Sequence, residues 1–157
     1  MCIRDSIITE LYKASQAGVK IDLIVRGVCA LKPKVKGLSE NINVRSIIGQ
    51  FLEHHRIYYF HANGKEALYL SSADWMDRNL FRRIEVAFPV LDKTLKQKAI
   101  HEGLNELLKD KSAWIMNSNG TYGQSKVLTQ NTQPSGQENL LLKYNTNAAL
   151  SKRKVKA

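Results

Sequence analysis

Cysteine is scarce in this chain, which has only Cys2 and Cys29 among its 157 residues. The two thiols form no spacing motif of the kind that binds a metal or builds a disulfide framework. Such sparse, unpatterned cysteine is typical of a protein from a reducing compartment. We expect Cys29 to be a small hydrophobic side chain of the core.

Long apolar segments are lacking as well. No run approaches the roughly eighteen residues that a membrane-spanning helix needs. The N-terminus has no charged segment followed by an apolar stretch, so no secretory signal is visible. We find no internal repeat. Hydrophobic residues make up 43% and charged residues 24% of the chain, which favours one folded domain with a core.

Acidic residues are few relative to basic ones: 14 Asp and Glu stand against 24 Lys and Arg, a net charge of +10. This excess favours polyanionic partners such as nucleic acid, a membrane surface, nucleotides or polyphosphate. Composition does not choose among them. Part of the charge lies in the stretch 151–156, which we interpret as a solvated tail.

The first third of the chain predicts a helix–strand order. Apolar residues share a helical face over 7–12, and Gly18 suits the position after the helix end. A strand is predicted at 20–25, a loop at 28–41 and a second strand at 43–47. This order indicates an α/β (α+β) domain, with a mixed sheet flanked by helices.

A hairpin dominates the middle of the sequence. Asn63-Gly64 is the strongest turn signal, and it lies between predicted strands at 56–60 and 66–71. The remaining predicted elements are a strand at 83–88 closed by Pro89, a helix capped by Asp92 with an apolar face from Leu95 to Leu108, and a short strand at 112–116. From about residue 126 we expect a weakly ordered basic tail, with a helical stretch near 137–144.

The open end of this hairpin carries polar groups that suit a phosphate. Residues two apart in a strand face the same way, so His54 and Arg56 are expected on one face, with Ser72 at the same open end of the hairpin. Imidazole acts as a nucleophile or acid near neutral pH, and guanidinium binds phosphate oxygens bidentately. The layout is a degenerate form of the His-x-Lys plus Ser/Asn motif of the phospholipase D superfamily. A surface histidine beside an ordinary sheet is the alternative.

Further cations follow strand ends. Arg26-Gly27 stands at the carboxyl end of a predicted central strand, where α/β sheets place ligands. Additional candidate phosphate contacts are Lys32 in the following loop, Arg78 and Arg83. Each of these is also compatible with a solvated surface position.

Five linked segments together resemble the final catalytic domain of the polyphosphate kinases. They are 24–33 (Ile-Val-Arg-Gly-Val-Cys-Ala-Leu-Lys-Pro), 37–42, 52–54 (Leu-Glu-His), 69–79 with its Ser-Ser-Ala-Asp-Trp-Met, and 83–86 (Arg-Ile-Glu-Val). The resemblance covers roughly residues 7–114. It implies a phospholipase-D-like domain at the C-terminal end of an enzyme that reversibly moves the terminal phosphate of ATP onto polyphosphate.

The same resemblance implies roles and partners. Arg26 matches the family's nucleotide-binding arginine, and His54 matches a histidine that assists as an acid or base. The family's phosphohistidine nucleophile and the residues associated with Mg²⁺ belong to an upstream domain, so this chain is expected to hold no metal and to be inactive alone. ATP or ADP, polyphosphate, the upstream domains and a homo-oligomeric assembly are the implied partners. A cytoplasmic location is expected, and membrane association stays open.

Some features depart from the family. Residues 1–6 do not resemble it, and we interpret them as a non-native leader before a domain spanning 7–125. Lys34 stands where the family often has glycine, and 126–157 match poorly. Two other functions stay open: a half-site of a phospholipase-D-like phosphodiesterase or nuclease, and a basic nucleic-acid-binding domain.

Overall fold

The computed structural model of the chain describes residues 5–124 and 134–154. Its elements in chain order are α1 (Asp5–Gln16), β1 (Ile21–Ile24), β2 (Ile42–Ser46), β3 (Ile57–Phe60), β4 (Ala67–Ser71), α2 (Asp77–Arg82), β5 (Ala87–Pro89), α3 (Lys93–Ile100), α4 (Glu106–Lys109), β6 (Trp114–Met116), β7 (Tyr122–Gln124) and α5 (Gly136–Lys154). No helix in these described ranges is both long and apolar enough to cross a bilayer.

Within the described residues the strands form two sheets. The first has the order β1-β2-β6-β7, with β1 and β2 parallel and the remaining pairs antiparallel. The second is the antiparallel sheet β3-β4-β5. The predicted mixed α/β class is confirmed.

The main core lies between α1 and the first sheet. Ile8 of the helix packs with Val25, Ile42 and Val44, and the last three are nearly inaccessible to solvent. Cys29 belongs to the same cluster, as the sequence predicts. The loop between β1 and β2 is tied down by polar bonds, because the Tyr12 hydroxyl accepts from the Lys32 amide and loop groups bond each other. The loop that follows Arg26 is therefore held against α1.

One position in that loop is conformationally unusual. Lys34 has φ of 59°, in the left-handed region that a side chain disfavours. Lys34 therefore adopts a backbone conformation that glycine would accept without strain.

The second sheet places the hairpin where the sequence predicts it. Ile57 pairs with Leu70 and Phe60 with Ala67, and the turn is a short 3₁₀ segment, Ala62–Gly64. Because six residues connect the strands, the turn is longer than the two-residue hairpin that Asn63-Gly64 usually makes. Asn63 and Gly64 both have positive φ.

A broken helix connects β5 of the second sheet to β6 of the first sheet. The Asp92 side chain accepts from the Leu95 amide at 2.8 Å, so the predicted cap is confirmed. After α3 the chain makes a π-helical turn, His101–Asn105, and continues as α4. Helix α5 then packs against α4.

Several sequence predictions are wrong in detail. The strand expected at 83–88 is reduced to Ala87–Pro89, because α2 occupies 77–82 and Glu85 is drawn into side-chain bonds. Pro89 is the last residue of this strand, as predicted. Helix α2 and strand β7 were not predicted. Leu95 is 59% exposed and lies off the buried face of α3.

The first six residues were expected to be a non-native leader, and residues 126–157 a weakly ordered tail. Helix α1 begins at Asp5, inside the expected leader, and residues 1–4 lie outside the described residues. The helical stretch predicted near 137–144 lies within α5, which continues to Lys154. The positions 125–133 and 155–157 of the expected tail are outside the described residues.

Candidate functional site

The centre of the candidate site is a chain of three side chains. Arg56 donates from Nε to Asp74 Oδ1 at 3.0 Å, and its Nη1 lies 2.9 Å from His54 Nδ1 and 3.0 Å from the His54 carbonyl. Strand β3 begins just after Arg56, and the Ser71 amide donates to the Arg56 carbonyl. The expectation that His54 and Arg56 share a face is confirmed.

The Arg56–Asp74 ion pair is the best shielded charge pair of this region. The two side chains are 16% and 13% exposed. The hydrogen bond from Arg56 lowers the pKa of Asp74, opposed by burial and supported by the charges of Arg56 and Arg26. Asp74 is therefore a carboxylate at neutral pH, and it fixes the orientation of Arg56.

The contact with Arg56 also fixes the hydrogen of the His54 ring. Guanidinium has donors and no acceptor, so His54 Nδ1 must accept. A neutral ring then carries its hydrogen on Nε2. Because His54 is exposed, this Nε2–H group is presented at the surface.

Arg26 joins the first sheet to this cluster. It follows β1 and donates from Nη1 to the Glu53 carbonyl at 2.9 Å. The guanidinium therefore lies beside the segment that carries His54, although the two residues belong to different sheets. The candidate site lies at the junction of the two sheets.

His55 points elsewhere, as strand alternation requires. Its Nε2 lies 3.0 Å from the Gly103 carbonyl and its Nδ1 lies 3.2 Å from the Glu53 carboxylate. His55 therefore links residues 53–55 to the π-helical turn and does not face Arg56.

Ser72 and Arg83 form a second group around Glu85. The Ser72 hydroxyl donates to Glu85 Oε2 at 2.5 Å and accepts from the Val86 amide, while Asn79 donates to Glu85 Oε1 at 2.6 Å. These bonds, together with the charge of Arg83, lower the pKa of Glu85. Ser72 thus lies at the predicted end of the hairpin, but its hydroxyl serves Glu85.

A shallow cavity of about 340 Å³ lies between this group and the aromatic side chains nearby. Its lining includes Tyr58 and Trp75, whose rings stack with centroids 5.1 Å apart, together with Arg83 and Glu85. Burial, and then the charge of Asp74, raise the pKa of Tyr58. The ion pair of Arg56 with Asp74 and the group around Glu85 therefore lie close enough for both to act on Tyr58.

The remaining predicted contacts are solvent-facing. Lys32 is exposed in the loop after β1, and its backbone rather than its ammonium makes the bonds to Tyr12 and Ser39. Arg78 is exposed on α2. The structure brings Arg26, His54 and Arg56 together and leaves these two outside that cluster.

Sequence reasoning missed the residues that hold the cations in place. The pairing of Asp74 with Arg56 could have been predicted, because Asp74 follows the strand that pairs with the strand after Arg56. Glu53 acts through its backbone carbonyl, and Gln137 contacts it from a distant helix, so neither could be found from local spacing.

The described residues do not fit a resident metal. They contain no group of three or more His, Cys, Asp and Glu side chains that could hold an ion. The carboxylates nearest the cations are already engaged, Asp74 by Arg56 and Glu85 by Ser72 and Asn79.

Comparison with known proteins places the chain in a family. Residues 3–137 match the family described as polyphosphate kinase C-terminal domain 2. The polyphosphate kinase of Burkholderia lata is 68% identical over 126 residues, which cover 80% of this chain and 18% of that protein. That of Burkholderia cenocepacia is 63% identical over 143 residues, covering 90% of this chain and 20% of the relative.

A solved structure agrees. The crystal structure of polyphosphate kinase from Porphyromonas gingivalis superposes with a TM-score of 0.81 and 40% identity over 92% of this chain and 22% of that one. The chain thus spans about a fifth of the length of these relatives. The matched family, the identities and the shared fold agree, and this chain belongs to the polyphosphate kinase C-terminal domain family.

Proposed function

We propose that this chain is the nucleotide- and phosphate-binding C-terminal part of a polyphosphate kinase, the enzyme that reversibly transfers the terminal phosphate of ATP to polyphosphate. The observation that carries the proposal is the cluster of Arg26, His54 and Arg56 at the junction of the two sheets. Two guanidinium groups and an imidazole N–H beside one another suit the several oxygens of a phosphate chain.

Each member of the cluster takes a distinct role. Arg26 binds a phosphate oxygen of the nucleotide, and Arg56 orients His54 and donates hydrogen bonds to phosphate at short range. His54 presents Nε2–H, which donates a hydrogen bond to the transferring phosphate and to the leaving oxygen as negative charge develops on it. Ser72, Arg83, Lys32 and Arg78 are candidates for outer contacts with a long polyanion, Arg83 first because it lines the neighbouring cavity.

The covalent step belongs to residues outside this chain. The phosphohistidine and the Mg²⁺ that accompanies ATP are assigned to the upstream domains, and this chain closes the site over ATP or ADP and polyphosphate. Alone it binds these ligands and turns over nothing. A cytoplasmic location and a homo-oligomeric whole enzyme complete the proposal.

A binding comparison tests the ligand class. The purified chain is titrated by calorimetry with ATP, with polyphosphate and with a DNA duplex, and is assayed for hydrolysis of a phosphodiester substrate. Binding of polyphosphate and ATP that Arg26→Ala weakens supports the proposal. Hydrolysis of the diester would favour a phosphodiesterase, and binding of DNA alone would favour a nucleic-acid-binding domain.

A chimera tests the place of the chain in the enzyme. This chain replaces the matching segment of the B. lata enzyme, and ATP-dependent polyphosphate synthesis is measured. Activity in the chimera, together with no acid-labile phosphate label on the isolated chain after incubation with labelled ATP, is the expected pair of results. Acid-labile label on the isolated chain would mean that the nucleophile lies within it.

A further inference from the structure

The side chain of Gln137, near the start of α5, spans the gap to the segment that leads into His54. Its Oε1 accepts from the Phe51 amide at 3.0 Å, and its Nε2 donates to the Phe51 carbonyl and to Glu53 Oε1, both at 2.7 Å. Gln137 is only 6% exposed. Three bonds from one buried amide therefore hold residues 51–53 against the C-terminal helix.

The start of α5 is itself fixed by contacts that do not involve this segment. The Gly136 amide donates to Asp110 Oδ2 at 2.9 Å, and a Cβ at Gly136 would lie 2.9 Å from the Glu106 carbonyl oxygen. Helix α4 and the residue that follows it thus anchor the helix start. The backbone that carries Gln137 is therefore held in place independently of residues 51–53.

Glu53 transmits this position to the candidate site. Its carbonyl accepts from Arg26 Nη1 at 2.9 Å, and its carboxylate accepts from Gln137 and pairs with His55. His54 is the next residue along the chain. A shift of residues 51–53 would therefore move the carbonyl that holds Arg26 and the backbone that carries His54.

We propose that Gln137 is a positioning residue for phosphate binding, which fixes the Glu53 carbonyl and thereby the placement of Arg26 and His54. This inference rests on the proposed function, since it assumes that Arg26 and His54 contact phosphate. It assigns the C-terminal helix a part in the site, because Gln137 bonds Phe51 and Glu53 beside Arg26 and His54. The neutral amide is suited to this role because it meets a donor and two acceptors at once.

Gly49 provides a second way to disturb the same contact. A Cβ at this position would lie 2.8 Å from Gln137 Cδ and closer still to Oε1. Gly49→Ala should therefore push the amide away from Phe51 and Glu53 without removing it. In a Gln137→Ala background the space is open, so the added methyl group should do no further harm.

The experiment compares Gln137→Ala, Gly49→Ala and the double variant, with Asn139→Ala as the matched control. Asn139 lies on the same turn of α5 as Gln137, but its side chain bonds Glu106 rather than residues 51–53. The dissociation constant of the full chain for polyphosphate is measured by calorimetry well below each melting temperature. The imidazole signals of His54 are followed by NMR, which is tractable with four histidines in the chain.

We expect Gln137→Ala and Gly49→Ala each to weaken polyphosphate binding about ten-fold. Without the bonds from Gln137, residues 51–53 can shift and displace Arg26 and His54 from their binding positions. The double variant should match Gln137→Ala, Asn139→Ala should bind as the parent does, and the His54 signals should shift only in the Gln137 and Gly49 variants. Unchanged affinity and unchanged His54 signals with a lowered melting temperature would reduce Gln137 to a structural role and overturn the inference. If the parent chain binds no polyphosphate, or Arg26→Ala binds as tightly, the proposed function fails instead.

Discussion

Replacing Asp74 by asparagine should destabilise the protein through loss of one charge. Asp74 Oδ1 accepts from Arg56 Nε at 3.0 Å, and both side chains are mostly buried. Asparagine keeps the shape and an acceptor oxygen, so the change tests the charge rather than packing. Arg56 would be left partly buried without its counter-charge.

The magnitude follows from the kind of bond that is lost. A hydrogen bond to a charged group is worth about 1.5–3 kcal/mol, and removing one partner of a buried pair costs more than removing one at the surface. We expect a loss of about 1.5–3 kcal/mol in the free energy of unfolding. At about 2–4 °C per kcal/mol for a chain of this size, the melting temperature should fall by roughly 3–12 °C.

The difference should depend on pH in one direction. The pKa of Asp74 is lowered in the folded protein, chiefly by the hydrogen bond from Arg56. A lowered pKa stabilises the fold fully above the unfolded value of about 3.9, and this contribution is lost as pH falls through the lower folded value. The gap in unfolding free energy between the parent and Asp74→Asn should therefore be constant near neutrality and should narrow as the pH falls below about 4.

Urea unfolding at pH 7 and at several values between 3 and 5 measures this gap. Asp77→Asn is the control, because its contact with Arg82 is 3.8 Å long and its side chain is 56% exposed. Such a surface pair contributes about 0–1 kcal/mol. Equal losses for the two variants, or a gap for Asp74→Asn that does not narrow between pH 5 and pH 3, would refute the reasoning.

Other predictions concern the cations and one loop position. Arg26→Ala should weaken polyphosphate binding by about one to two decades, and Arg56→Gln by less, both measured by calorimetry. In the chimera, His54→Ala should lower turnover by about two decades or more, whereas His55→Ala should mainly lower the melting temperature; the reverse order would mean that the site is misassigned. Lys34→Gly should raise the free energy of unfolding by up to about 1 kcal/mol, because Lys34 has φ of 59°; a loss in urea unfolding would contradict this.

Local sequence patterns predict much of this fold because they act over short distances. The hairpin β3–β4 and the cap at Asp92 depend on neighbouring residues alone, and both were predictable. Segment 83–86 reads as a strand by composition, yet bonds from Ser72 and Asn79 to Glu85 hold it outside the sheet. Tertiary contacts of this kind override β-propensity, which is a weak preference.

The same distinction separates the parts of the site. The alternation of residues 54–56 predicts which of the two histidines faces Arg56, because neighbouring side chains in an extended segment point apart. It does not predict that Arg26 meets the Glu53 carbonyl, since a backbone acceptor leaves no trace in residue type. Nor does it predict the bond from Gln137 to Glu53, because the polar segment around Gln137 resembles a solvated tail.

The two arginines of the site differ in how much of their charge is available to a ligand. Arg56 is paired with the Asp74 carboxylate, so its field at a distance is largely cancelled. Arg26 is exposed and bonds a neutral carbonyl, which orients the guanidinium without cancelling its charge. Under the proposed function, a phosphate that approaches the junction of the sheets would therefore be attracted mainly by Arg26. Arg56 is needed for a different reason, because its bond to Nδ1 is what leaves the hydrogen of His54 on Nε2.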